Sequence, residues 1–87
     1  VPKIDVLVCP PTVYLDSVAQ KLAGSALLLG AQNLCEQTQA GAFTGETLSS
    51  MLVEVGCRYA IVGHSERRAL YGESDARVAE KFVAAQA

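Results

Sequence analysis

Eighty-seven residues make a small domain or part of a larger one, since autonomous domains commonly run to about 100–150 residues. An apolar content of 51% with only 18% charged residues excludes a disordered tail. A net charge of −2, with the basic residues scattered apart from Arg67-Arg68, excludes an electrostatic footprint for nucleic acid or an anionic membrane surface.

From Ile4 to Cys9 runs a β-branched and aliphatic stretch without alternation after Asp5, the pattern of a parallel strand covered on both faces. Pro10-Pro11 stops it. Thr12 reads as the N-cap of a helix in which Leu15, Val18, Ala19 and Leu22 recur at i, i+3, i+4 and i+7, while Asp16, Gln20 and Lys21 point outward. Gly24 ends that helix. A second apolar run, Ala26 to Ala31, is too short for a self-supporting helix and predicts a second buried strand, whose carboxyl end delivers the amides Gln32 and Asn33.

Leu34 to Glu46 lacks periodicity and is rich in Gln, Thr, Gly and Ala, so it reads as a loop of roughly a dozen residues, longer than most connections. Leu48, Met51, Leu52 and Val55 then predict a short amphipathic helix closed by Gly56. Arg58 to Gly63 is the third strand, its Tyr59-Ala60-Ile61-Val62 core read as buried. Ser74 caps a last helix with Asp75 at its positive end and Ala79, Phe82 and Val83 on its inner face. The order β-α-β-α-β-α implies a parallel sheet with right-handed crossovers and a single unit over residues 1–87 with no internal boundary. Three such units leave both sheet edges unpaired and one face uncovered. With Val1-Pro2-Lys3 at the start, and without an initiator Met, a signal peptide or an apolar run long enough to span a bilayer, the expectation is a middle portion of a larger α/β protein.

Chemistry concentrates in Gly63-His64-Ser65-Glu66-Arg67-Arg68, which holds the only histidine and the densest charge. Gly63 lets the backbone turn, so His64 emerges at the carboxyl end of the third strand, where α/β sheets and barrels place their ligands. One reading of His64 is a histidine that merely follows a strand. The other takes Ser65 onward as a helical turn whose N–H groups and dipole favour a neutral imidazole, able to donate a hydrogen bond to a carbonyl oxygen and stabilise an enediolate-like charge. Glu66 is either an ordinary first-turn carboxylate or a residue that orients a lysine or hydroxyl in the site. Arg67 and Arg68 diverge on one turn and read as partners for carboxylates such as Glu46 or Glu73.

No Gly-x-Gly-x-x-Gly or P-loop is present, so a nucleotide cradle at Gly41-Ala42-Phe43-Thr44-Gly45 is weakly supported. Phe43 on that stretch reads either as an aromatic anchor for a partner's pocket or as part of a loop folded on its own core. Cys9, Cys35 and Cys57 are odd in number and widely spaced in apolar surroundings, which fits reduced cytosolic thiols rather than a disulfide frame or a zinc site.

Four segments in order, Leu29-Gly30-Ala31-Gln32-Asn33, Gly41-Ala42-Phe43-Thr44-Gly45-Glu46, Tyr59-Ala60-Ile61-Val62-Gly63-His64-Ser65-Glu66-Arg67-Arg68 and Gly72-Glu73-Ser74-Asp75, resemble the triosephosphate isomerase family. The resemblance implies a partial (β/α)8 TIM barrel, from the second strand to the helix after the fourth; a complete barrel has roughly 250 residues. It implies a cytoplasmic enzyme that interconverts dihydroxyacetone phosphate and glyceraldehyde 3-phosphate by enediol(ate) proton transfer, without cofactor or metal. That family is itself a documented example of a neutral histidine electrophile at a helix N-terminus. By similarity His64 is the electrophile, with Ser65 and Glu66 in support. Phe43, Thr44, Gly45 and Glu46 reach into the second subunit of a homodimer, and Arg67 joins Glu46 in an ion-pair network there. The family's active-site asparagine and lysine fall upstream of Val1, and its glutamate base, lid and phosphate loop fall after Ala87. The chain by itself is therefore expected to be inactive. The competing reading is a non-catalytic barrel fragment or an interaction module that keeps the dimer loop.

Overall fold

The computed structural model describes residues 4–86, so Val1-Pro2-Lys3 and Ala87 lie outside the described residues. Three parallel strands, β1 (Leu7–Val8), β2 (Leu28–Ala31) and β3 (Tyr59–Ala60), form one sheet in the order β1-β2-β3. Leu7 pairs with Leu28 and Val8 with Leu29, while Gly30 pairs with Tyr59 and Ala31 with Ala60. Pairing extends past the strand ends, since the Arg58 N–H donates to the Leu29 carbonyl at 2.9 Å and the Ile61 N–H to the Ala31 carbonyl at 2.8 Å. The alternating α/β order and the parallel sheet are those read from the apolar runs.

The first helix, α1 (Leu15–Leu22), buries Leu15 and packs Val18, Ala19 and Leu22 on the sheet, as its period requires. Its start differs from expectation. Pro11 fixes φ at −54°, the chain first makes a 3-10 turn over Thr12–Tyr14, and no side chain caps either element. The Tyr14 N–H bonds the Pro11 carbonyl at 2.9 Å, so the backbone turn does what a Thr12 cap would have done. The next helix, α2 (Ser49–Glu54), sets Leu52 into the core beside the preceding Leu48, but Met51 stays exposed. Leu15, Leu29, Ala31, Leu34, Leu52 and Cys57 make one core cluster beneath the sheet.

That cluster covers a single face. Ile4 is 80% exposed, and Val6, Leu7 and Tyr59 are exposed as well, so the uncovered face expected of three such units is present, while the reading of the first strand as covered on both faces and of Tyr59 as buried is corrected. A three-stranded sheet with its helices packed on one face leaves alternate residues of every strand without a partner layer.

Two helices follow β3: α3 (Ser65–Tyr71) and α4 (Asp75–Gln86). Ser74 caps α4 as expected, its Oγ accepting from the Arg77 N–H at 3.1 Å. The expected inner face is overturned: Ala79 is exposed, and Phe82 and Val83 are 53% and 69% exposed. Val78, Lys81 and Ala84 turn inward instead, because the Lys81 ammonium has partners inside that the apolar side chains one row over lack.

Candidate functional site

Gly63 turns the chain out of β3 with φ at +68°, and a Cβ there would meet Val78 Cγ1 at 2.9 Å, so both conformation and space call for glycine. The Arg68 Nε donates back to the Gly63 carbonyl at 3.2 Å and holds the turn. The chain then enters α3 with His64 as the N-cap, whose carbonyl accepts from the Arg67 and Arg68 N–H groups at 2.9 and 3.1 Å.

The His64 side chain caps the same helix. Its Nδ1 accepts from the Glu66 N–H at 3.1 Å, so Nδ1 carries a lone pair and the ring proton resides on Nε2. This is the tautomer that a donor to a carbonyl oxygen needs. His64 shares a cleft of about 480 Å³ with Thr12, Gln32, Asn33, Glu66 and Tyr71. The cleft thus gathers the residues that follow all three strands. Gln32 Nε2 donates to the Cys9 carbonyl at 2.8 Å, tying the end of β2 to the segment after β1. Ser65 opens α3 and is exposed, as is Glu66.

Behind the cleft lies a network that sequence reasoning missed in part. Glu73 reads from the sequence as an arginine partner, and Arg67 Nε does meet its Oε2 at 3.0 Å, with the guanidinium 5.0 Å over the Tyr71 ring. Lys81, 3% exposed, reaches the same oxygen at 2.6 Å and donates to Asn33 Oδ1 at 2.9 Å. The Glu73 carboxylate therefore joins Arg67 of α3 to Lys81 of α4, and the Lys81 ammonium carries the link on to Asn33 at the end of β2. Burial alone would push the Glu73 carboxyl up, but hydrogen bonds and charge from Lys81 and Arg67 outweigh it and hold the group below the ordinary carboxylate range. Its other oxygen, Oε1, is buried without a hydrogen-bond partner among the described residues. The usable signal was a lone lysine in the same helical row as Val78, an apolar inward position.

Arg68 pairs with Asp75, and Glu46 makes no ion pair with Arg67 among the described residues. Glu46 instead lines a second cleft of about 500 Å³, with Glu36, Phe43, Arg67, Tyr71 and Arg77. Phe43, Thr44, Gly45 and Glu46 are all exposed on the projecting loop, and the Phe43 ring lies against Gly41. The loop is clasped at its root, where the Cys35 N–H donates to the Thr47 carbonyl at 2.8 Å. Cys35, Glu36 and Glu46 bring possible ligand atoms within 4.8 Å of one another, yet the Arg77 guanidinium already neutralises Glu36 at 3.3 Å. All three cysteines are free thiols.

A histidine that caps its own helix at a strand end, above a cleft lined by Gln32 and Asn33, agrees with the result of comparison with known proteins. The family model described as triosephosphate isomerase matches residues 1–87. The chain belongs to the triosephosphate isomerase family. It is 61% identical over 84 residues to the triosephosphate isomerase of Thiobacillus denitrificans, covering 97% of this chain and 34% of that protein. Against the enzyme of Dechloromonas aromatica it is 61% identical over 82 residues, covering 94% of this chain and 32% of the relative. The Rhodopirellula baltica enzyme is 56% identical over 86 residues, covering 99% and 34%. The chain spans about a third of the length of these curated relatives. No helix among the described residues is long and apolar enough to cross a membrane.

Proposed function

We propose that this chain is the His64-bearing third of a triosephosphate isomerase, three consecutive βα units of a (β/α)8 barrel forming one undivided segment over residues 1–87. The complete protein interconverts dihydroxyacetone phosphate and glyceraldehyde 3-phosphate in the cytoplasm by proton transfer through an enediol(ate). The observation that supports it most directly is the Glu66 N–H bond to His64 Nδ1 at 3.1 Å, because it commits Nε2–H as the ring's donor. A donor fixed in advance stabilises charge that develops on the substrate oxygen without reorganising at the moment of reaction. His64 is then the electrophile; the first turn of α3, opened by Ser65 and Glu66, aims it. The proton itself is moved by a base elsewhere in the barrel.

The exposed face of β1–β3 fits this reading, since barrel strands have a packed interior on that side. The loop bearing Phe43, Thr44, Gly45 and Glu46 extends to a second subunit of a homodimer, and Arg67 lies beside the cleft the two would share.

Replacing His64 by Gln in the full-length protein tests the assignment. Turnover should fall by about 100-fold or more with a much smaller change in KM, since the imidazole acts mainly on charge present only in the transition state. An unchanged kcat removes His64 from the mechanism.

A further inference from the structure

We propose that the ion pair between Arg77 on α4 and Glu36 at the root of the projecting loop pre-organises residues 37–46 and so sets how tightly that loop engages a second copy of this chain. The proposal rests on the reading of the loop as a dimer arm.

Residues 37–46 are all exposed, and the loop carries little internal structure: the Phe43 N–H bonds the Gly41 carbonyl at 2.9 Å and the Glu46 N–H the Phe43 carbonyl at 3.0 Å. A segment so lightly tied loses conformational freedom when it docks, and that loss subtracts from affinity. Its root, by contrast, is held from several sides. Cys35 is buried and clasps Thr47 through the backbone, and its Sγ accepts from the Gln37 N–H at 3.4 Å. Glu36, whose side chain is only 12% exposed, meets Arg77 Nη1 at 3.3 Å. One helical turn further along α4, Lys81 grips Asn33 on the other side of Leu34 and Cys35. Arg77 and Lys81 are thus an i, i+4 pair that fastens the start of the loop to α4 at two points.

Arg77 also lines the cleft that contains Phe43 and Glu46, so the guanidinium holds the root of the loop and borders the space beside it. Arg77 itself is half exposed, and such a pair adds little to the stability of the protomer. Its effect falls on the breadth of the loop's ensemble, and a symmetric dimer contains two such loops, so the loss counts twice. An effect of about threefold per loop becomes roughly tenfold in the dimer dissociation constant.

The test measures dimer dissociation of the full-length protein by sedimentation over a dilution series, with Phe43→Ala as the reference for the arm. Arg77→Ala and Glu36→Gln should each raise the dissociation constant by about tenfold, the double variant should be no weaker than either single one, and Arg77→Lys should recover most of the loss. The hydrogen-bonded amides of Gln37, Phe43 and Glu46 should exchange faster with deuterium in Arg77→Ala at protomer concentrations, with α4 amides unchanged. High salt should shrink the difference between wild type and Arg77→Ala. If Phe43→Ala weakens the dimer and Arg77→Ala leaves both association and loop exchange untouched, the proposal is overturned while the arm reading stands. If neither variant changes association, the arm reading itself fails and the proposal with it.

Discussion

Replacing Glu73 by Gln removes the one carboxylate that both Arg67 and Lys81 use, and leaves the Lys81 ammonium buried with only amide oxygens for company. Breaking a buried pair by deleting one partner costs about 3–5 kcal/mol. The lower end applies here, because Lys81 keeps Asn33 Oδ1 at 2.9 Å and a glutamine carbonyl can still accept. About 3 kcal/mol is more than a hundredfold in the folding equilibrium. Arg67 loses less, since it is partly exposed and water can replace the lost acceptor. Urea denaturation of the full-length protein at pH 7 measures the loss. Removing both charges with Glu73→Gln and Lys81→Met should cost well under the sum of the single changes, because neither charge is left alone. The same carboxylate gives a pH signature. It titrates lower in the folded chain than its ordinary value of 4.5, so its stabilisation is complete above that value and is lost as pH falls through the lower folded one. Glu73→Gln should flatten that part of the stability profile. A cost below about 0.5 kcal/mol, single effects that add, or an unaltered acid limb would refute the buried-pair reasoning.

Three further outcomes follow from the geometry. Gly63→Ala forces a left-handed residue and drives a Cβ to within 2.9 Å of Val78; a loss of about 2–4 kcal/mol is expected, part of it restored by Val78→Ala, and thermal denaturation of the three variants checks this. Burial, and after it the proximity of Cys9, pushes the Cys57 thiol up, so alkylation followed by mass spectrometry at pH 8 should label half-buried Cys9 well before Cys57. Equal rates would contradict the packing described. The 87-residue chain alone should show no isomerase activity, and a purified-chain rate above the uncatalysed background would disprove that.

Periodicity carried most of the architecture. Leu15, Val18, Ala19 and Leu22 repeat as a helix must to bury one stripe, and they do pack inward. The apolar runs placed three strands in the right order because β-branched and aliphatic residues without alternation have few other uses. His64 was legible for the same reason: a glycine after an apolar run is a turn, and the next residue emerges at the strand end. The features that escaped were those decided by partners far along the chain. Lys81 defeats a reading that sends charge outward, since its burial depends on Asn33, 48 positions away, and on Glu73. With Lys81 inside, Phe82 and Val83 are rotated out, so one distant contact turned the whole helix. Thr12 lost its capping role to the fixed φ of Pro11, a competition between neighbours that residue preference alone does not rank.

The bare face of the sheet bears on how such a chain is made. β1 and β3 each present an open edge, and Ile4, Val6, Leu7 and Tyr59 stand exposed beside them. Segments of this kind pair with any strand they meet. In the barrel proposed above, the β1–β3 unit would emerge before the strands that close against it, and self-adhesion would compete with productive closure during that interval. Chaperone dependence in the cell should then rise with substitutions that enlarge the apolar surface around Ile4, Val6, Leu7 and Tyr59 and fall with those that place charge there.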